Sequence, residues 1–131
     1  MELLLDTCTL LWMIGGDKNL PKKIVEMIED DNNTVYISVS SLWEVEIKHQ
    51  KSKQLMPIDT FDIVNAIRST KINNIGFNEE HLMELGFIVQ QNIHKDPFDH
   101  LLLAIAREEG MVLVTHDNVL TEYQGVKILH Y

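Results

Sequence analysis

Short apolar runs alternate with amphipathic stretches along the whole chain, and their two periods assign the elements. Leu3–Leu5 is a continuous apolar run that stops at Asp6, the pattern of a buried strand. Thr34–Ser38 is rich in β-branched and aromatic residues and predicts a second strand, and Met111–Thr115 a third. Ile72–Ile75 and Val126–Leu129 predict two shorter strands. Helical patterns fill the intervals. Thr7 is the expected cap of a helix through Ile14, stopped by Gly15-Gly16. Pro21 suits the first turn of a helix reaching Asp30, with Ile24, Val25 and Ile28 as its apolar stripe. Ser40 or Ser41 opens a helix bearing Leu42, Trp43, Val45 and Ile47, which fades into the polar stretch His49–Gln54. Asp59 caps a helix to Ser69, and Asn78 starts one to Leu85. Asp96-Pro97 begins the clearest helix, Phe98–Glu109, which Gly110 stops. Strands separated by helices require right-handed crossovers, so the expected class is α/β, a mostly parallel sheet of about five strands flanked by helices.

In an open parallel sheet, ligands bind outside the carboxyl ends of the strands. Asp6 ends the first strand, Glu44 lies in the first turns of the helix after the second, and Asp117 lies just past Thr115. Asp99 opens the helix that runs back antiparallel to the Met111–Thr115 strand, so it also belongs to the carboxyl edge. Each acid has a structural role available. Asp96-Pro97-Phe98-Asp99 fits a helix start, and Ser41-x-x-Glu44 fits a capping box. Asp6 can cap the first helix, and Asp117 can sit in a turn. Two details favour chemistry. Leu102, Leu103 and Ala106 share a helix face with Asp99, and Asp6 ends a buried strand. A carboxylate in such a place is costly unless paired or bound to a cation, and several together repel. Convergent acids without a basic partner therefore suggest a hard divalent cation, which takes oxygen ligands.

The 131 residues correspond to one domain, since domains hold roughly 100–200. Hydrophobic residues at 45% and charged residues at 24% are ordinary globular proportions. Against 11 Lys plus Arg stand 20 Asp plus Glu, a formal net charge of −9. Taken alone, that disfavours a polyphosphate partner, but a bound divalent cation inverts the local field. Cys8 is the single cysteine, which fits a reducing compartment. No apolar run approaches the ~20 residues of a membrane span, and Met1–Asp6 lacks a basic leader pattern. The expectation is a cytoplasmic protein with no membrane contact. His49, His81, His94, His100, His116 and His130 show no H-E-x-x-H spacing and are expected on the surface or in structural roles. No nucleophile elbow, P-loop or dinucleotide fingerprint is present. Asp6-Thr7-Cys8-Thr9 resembles the opening of haloacid-dehalogenase phosphatases, but Cys8 stands where their second Asp is required.

Leu3-Leu-Leu-Asp6-Thr-Cys, Ser41-Leu-Trp-Glu44-Val-Glu-Ile-Lys48, Asp96-Pro-Phe-Asp99-His-Leu-Leu-Leu-Ala-Ile-Ala and Leu113-Val-Thr115-His-Asp117 together resemble the four acidic motifs of the PIN domain. Within that family they are most similar to the VapC-type toxins of bacterial toxin–antitoxin pairs. The likeness covers residues 1–131 as one PIN domain. It implies an α/β/α sandwich and a Mg²⁺- or Mn²⁺-dependent endoribonuclease. Carried over by position, Asp6, Glu44, Asp99 and Asp117 are the catalytic acids. Asp6 and Asp99 are the direct metal ligands, and Glu44 and Asp117 complete the shell directly or through water. Thr115 supports them by a hydroxyl hydrogen bond. Asp96 is an extra acid at the rim with a helix-capping role. Two departures stand out. His100 occupies a position where the motif commonly has Arg, and Asn118-Val119-Leu120 replaces a final acid and Phe.

The resemblance further implies an RNA substrate, a cognate antitoxin whose basic or amphipathic segment covers the acidic groove, and a homodimer. Leu11, Trp12 and Met13 are candidate interface residues. Lys48, His49, Lys51 and Lys53 cluster beyond Glu44 and are the candidate contacts to RNA phosphates, with Lys95 a second possibility. A cation would polarise the scissile phosphate and activate water for in-line attack, leaving 5′-phosphate and 3′-OH ends. The competing readings are a Mg²⁺-dependent phosphatase, separable by turnover of small phosphate esters, and an inactive PIN-like binding module.

Overall fold

The computed structural model describes residues 1–131. Five strands form one sheet: β1 (Glu2–Leu5), β2 (Thr34–Ser38), β3 (Asn73–Ile75), β4 (Val112–Thr115) and β5 (Lys127–His130). Their order is β3-β2-β1-β4-β5, and every neighbouring pair is parallel. The helices are α1 (Thr7–Gly15), α2 (Lys22–Glu29), α3 (Val39–Lys51), α4 (Thr60–Ile67), α5 (Glu79–Val89) and α6 (Pro97–Glu109).

Strand periodicity builds three layers. Successive side chains on a strand point to opposite faces, so Leu3 and Leu5 pack with Leu10, Ile24, Leu42, Val45 and Ile63 from α1–α4. Leu4 faces the other way, onto Ile88 of α5 and Leu101–Ala106 of α6. Val114 and Leu113 of β4 divide between the same two layers. Because both faces are covered, all three leucines of β1 are fully buried, which is why they read as an unbroken apolar run.

Several boundaries depart from expectation. Asp6, not Thr7, caps α1: its side chain accepts from the Thr9 N–H, and Gly16 ends the helix in the left-handed conformation. Ser38, not Ser40 or Ser41, caps α3, so the Ser41-x-x-Glu44 capping box does not form. Glu44 stands a turn inside the helix. The α5 helix passes through Gly86 to Val89 rather than stopping at Leu85, because apolar contacts of Phe87 and Ile88 outweigh one glycine. A short 3₁₀ helix over Asn118–Glu122, not anticipated, makes the parallel return from β4 to β5. No helix is long and apolar enough to cross a membrane.

Candidate metal and nucleic-acid site

The sheet order reverses between β1 and β4, the two strands that leave the centre in opposite directions. That crevice is where an open parallel sheet presents a site, and the acids gather beside it. Asp6, Glu44, Asp96, Asp99 and Asp117 line one cavity of about 350 Å³, together with Lys48 and His116. Four separate stretches of chain supply them.

Asp6 follows β1 directly and is 6% exposed. Its Oδ1 accepts the Thr9 backbone N–H at 2.7 Å, and its Oδ2 accepts the hydroxyl of buried Thr115 at 2.5 Å. Burial raises its pKa above the ordinary carboxylate value, and those hydrogen bonds partly oppose the rise. The same Thr115 hydroxyl accepts the Asp117 N–H at 3.0 Å. Asp117 is exposed and caps the 3₁₀ helix through the Val119 N–H.

Glu44 is 7% exposed. Thr7 donates to its Oε1 at 2.6 Å, and Lys48, one turn further along α3, donates to its Oε2 at 3.1 Å. Asp99 stands in the first turn of α6, whose start is capped by Asp96 through the Phe98 and Asp99 N–H groups. Its Oδ2 pairs with Nε2 of His94 at 3.0 Å. Burial pushes Asp99 up to about 6; the His94 bond lowers it, and the charges of Asp96 and Glu44 raise it.

Basic partners were not expected beside these acids, and two are present: Lys48 on Glu44 and His94 on Asp99. Sequence spacing predicts the first, an i,i+4 pair, but His94 belongs to the loop before α6 and carries no pattern. Thr7 is a further residue that motif reading passed over. His100, in place of Arg, is 8% exposed and holds the carbonyl of His94 at 2.8 Å. Of the basic cluster, only Lys48 lines the acidic cavity. Lys51 lies beside it in a neighbouring hollow with Leu55 and Met56, and Lys53 and Lys95 line neither. His49 Nδ1 is engaged by the Met56 carbonyl. Leu11 and Trp12 also line the cavity, and Met13 packs against the core.

No three side chains of His, Cys, Asp or Glu converge tightly enough to enclose a metal ion. The donor set nevertheless suits one kind of cation. The acids offer oxygen alone, they crowd like charge, and they open into a cavity with room for water, which Cys8 and His116 also line. Mg²⁺ is commonly held by one or two carboxylates while it keeps several waters, whereas Zn²⁺ takes a closed tetrahedral set of nitrogen and sulfur ligands.

The family model of the PIN domain matches residues 3–126 of the chain. Comparison with curated proteins finds no match. Among solved structures, VapBC2 from Rickettsia felis bound to a promoter DNA fragment superimposes with a TM-score of 0.77 at 20% identity, covering 99% of this chain and 98% of that one. DNA-bound VapBC from Salmonella typhimurium gives 0.74 at 23% identity, with the same 99% and 98% coverage. VapC20 from Mycobacterium tuberculosis, a toxin that cleaves the sarcin–ricin loop, gives 0.64 at 14% identity, covering 95% of this chain and 97% of that one.

Proposed function

The chain belongs to the PIN domain family, and from that membership we propose that it is a divalent-metal-dependent endoribonuclease, the toxin of a toxin–antitoxin pair. The observation that carries the reading is the convergence of Asp6, Glu44, Asp99 and Asp117 on one cavity at the carboxyl edge of the sheet. Asp6 and Glu44 are buried beside one another's like charge, and burial raises the pKa of Asp6 and of Asp99, a crowding that a bound cation would offset. The likeness to an RNA-cleaving toxin and to toxin–antitoxin complexes supports the substrate and the partner.

Asp6 and Asp99 are the residues assigned to hold Mg²⁺ or Mn²⁺, with Glu44 and Asp117 completing the shell directly or through water. The ion would supply charge stabilisation for the scissile phosphate and a more acidic water. The protein's own groups do the positioning. Thr115 and the α1 amide fix both oxygens of Asp6, so this carboxylate presents one geometry. Thr7 and Lys48 do the same for Glu44. Lys48 is also the cation best placed to meet a substrate phosphate at the rim. Hydrolysis by water leaves 5′-phosphate and 3′-OH ends.

The partner proposed is an antitoxin with a basic segment, which the net charge of −9 and the acidic cavity favour. A homodimer and a cytoplasmic setting are carried over from the same likeness. The test is induced expression of the wild type beside Asp6→Asn and Asp99→Asn, scored for growth arrest and for RNA fragments with 5′-phosphates. Equal toxicity of the variants, or recovery of 2′,3′-cyclic phosphates, rejects the assignment.

A further inference from the structure

His94 is held at its ring, its N–H and its carbonyl. Its Nε2 lies 3.0 Å from Oδ2 of Asp99, and its Nδ1 lies 2.7 Å from the hydroxyl of Tyr123. That hydroxyl also accepts the His94 backbone N–H at 3.4 Å, and the His94 carbonyl accepts Nε2 of His100 at 2.8 Å. The three rings meet edge to face, with centroids 5.2 Å apart for His94 and His100 and 5.5 Å for His94 and Tyr123.

The hydrogen-bond network assigns the tautomer. A phenol has one proton to donate. A carboxylate can only accept, so Nε2 of His94 donates to Asp99, and the Tyr123 proton goes to Nδ1. With Nδ1 as acceptor, the neutral ring carries its proton on Nε2, facing Asp99. Tyr123 is only 4% exposed, and burial raises the pKa of its hydroxyl, which keeps the donor in place. Asp99 Oδ2 is therefore occupied by a directed N–H, and Oδ1 has no protein partner.

We propose that His94 is a positioning residue for Asp99, anchored by Tyr123 and His100, which engages one carboxylate oxygen and leaves the other directed to a divalent cation in the cavity. The inference rests on reading Asp99 as a metal ligand. Groups hydrogen-bonded behind a metal ligand orient it and tune its basicity, and their loss typically lowers metal affinity about 10–100-fold. Two ordinary structural roles are less economical. A loop needs no imidazole to be tied down, and a neutral histidine adds little fold stability at a carboxylate whose side chain is still 20% exposed.

The test is Mn²⁺ titration of the purified protein, read by the electron paramagnetic resonance signal of free Mn²⁺, with melting curves recorded in EDTA. His94→Ala is expected to bind Mn²⁺ about 10–100-fold more weakly. His94→Gln should recover most of the loss, because its amide N–H reaches toward the same oxygen. Tyr123→Phe keeps the buried ring and removes only the anchor, so it should fall between them, and it carries the test if His94→Ala does not fold. Asp99→Asn separates the two levels. If Asp99→Asn loses Mn²⁺ while His94→Ala and Tyr123→Phe bind as the wild type does, the role of His94 is overturned. A loss that His94→Gln does not recover overturns it as well. If Asp99→Asn itself binds as the wild type does, the metal-site reading fails, and the role of His94 fails with it.

Discussion

Thr115 and Asp6 lie 109 positions apart in sequence and share a buried hydrogen bond of 2.5 Å from hydroxyl to Oδ2. Because the same hydroxyl accepts the Asp117 amide, one side chain joins the ends of β1 and β4 and sets two of the acids. The bond spans the crevice between those strands where the site lies.

Thr115→Val keeps the shape and removes the hydroxyl. Asp6 then loses one donor and the Asp117 amide loses its acceptor, in a place 0% exposed at Thr115. The expected cost is about 1–3 kcal/mol of unfolding free energy. Thr115→Ser, which retains the oxygen, should recover most of it. Urea unfolding checks this, and equal stability of the valine variant and the wild type would reject the role given to the bond.

Stability of the metal-free protein should fall as pH rises through the range from the ordinary aspartate value of 3.8 to the raised value of about 6 for Asp99. Within that range the folded state holds a proton that the unfolded chain has released, so stability present at the lower pH is lost at the higher. A rise from 3.8 to about 6 corresponds to at most about 3 kcal/mol. Asp6 is displaced in the same direction by burial. Asp99→Asn should flatten the dependence. Urea midpoints in EDTA across this range measure it, and parallel wild-type and variant curves would contradict the burial argument.

Lys48 and Lys53 should separate in RNA binding, because only Lys48 lines the acidic cavity. In an Asp6→Asn background, Lys48→Ala is expected to weaken single-stranded RNA about 3–10-fold and to reduce the salt slope by about 0.7. Lys53→Ala should leave both unchanged. The Lys48–Glu44 ion pair is half-exposed on the lysine side, so loss of Lys48 should change stability by less than about 1 kcal/mol. Fluorescence anisotropy at several salt concentrations decides the matter, and equal effects would place the RNA elsewhere.

Gly125 has a φ of +80°, and a Cβ there would come within 2.5 Å of Arg107 Nη1 and 2.9 Å of Phe87. Arg107 cannot move aside freely, because it bonds Glu84 and the Gly125 carbonyl and lies over the Phe87 ring. Gly125→Ala should therefore cost about 1–3 kcal/mol. Gly76→Ala, where nothing lies within 4 Å of a Cβ, is the control and should stay within about 1 kcal/mol. Thermal unfolding compares them.

Much of the fold was legible along the chain, because strand burial and helix amphipathicity leave periodic marks. Thr34–Ser38 is a strand over the expected span, and Asp59, Asn78 and Asp96 cap the helices they were expected to open. Misplaced starts came from choosing among adjacent capping residues: Asp6 or Thr7, Ser38 or Ser40. Either side chain can accept an amide, and only the point at which the preceding strand stops pairing selects one. The carboxyl-edge rule likewise placed the four acids together, since parallel strands put every strand end on one side.

What sequence determined by itself was the α/β class, the order of elements and the acidic edge, all of which follow from local periodicity and from the handedness of crossovers. Tertiary structure decided which groups touch the acids. Thr7 on Glu44, Thr115 on Asp6 and His94 on Asp99 bridge 37, 109 and 5 positions, and no periodicity links them. Tertiary structure also singled out Lys48 from its neighbours, because facing the cavity depends on the rotation of α3 against the sheet. Hydrogen bonds between remote side chains are set by packing to within tenths of an ångström, and a residue's type shows only that it can donate, never to whom.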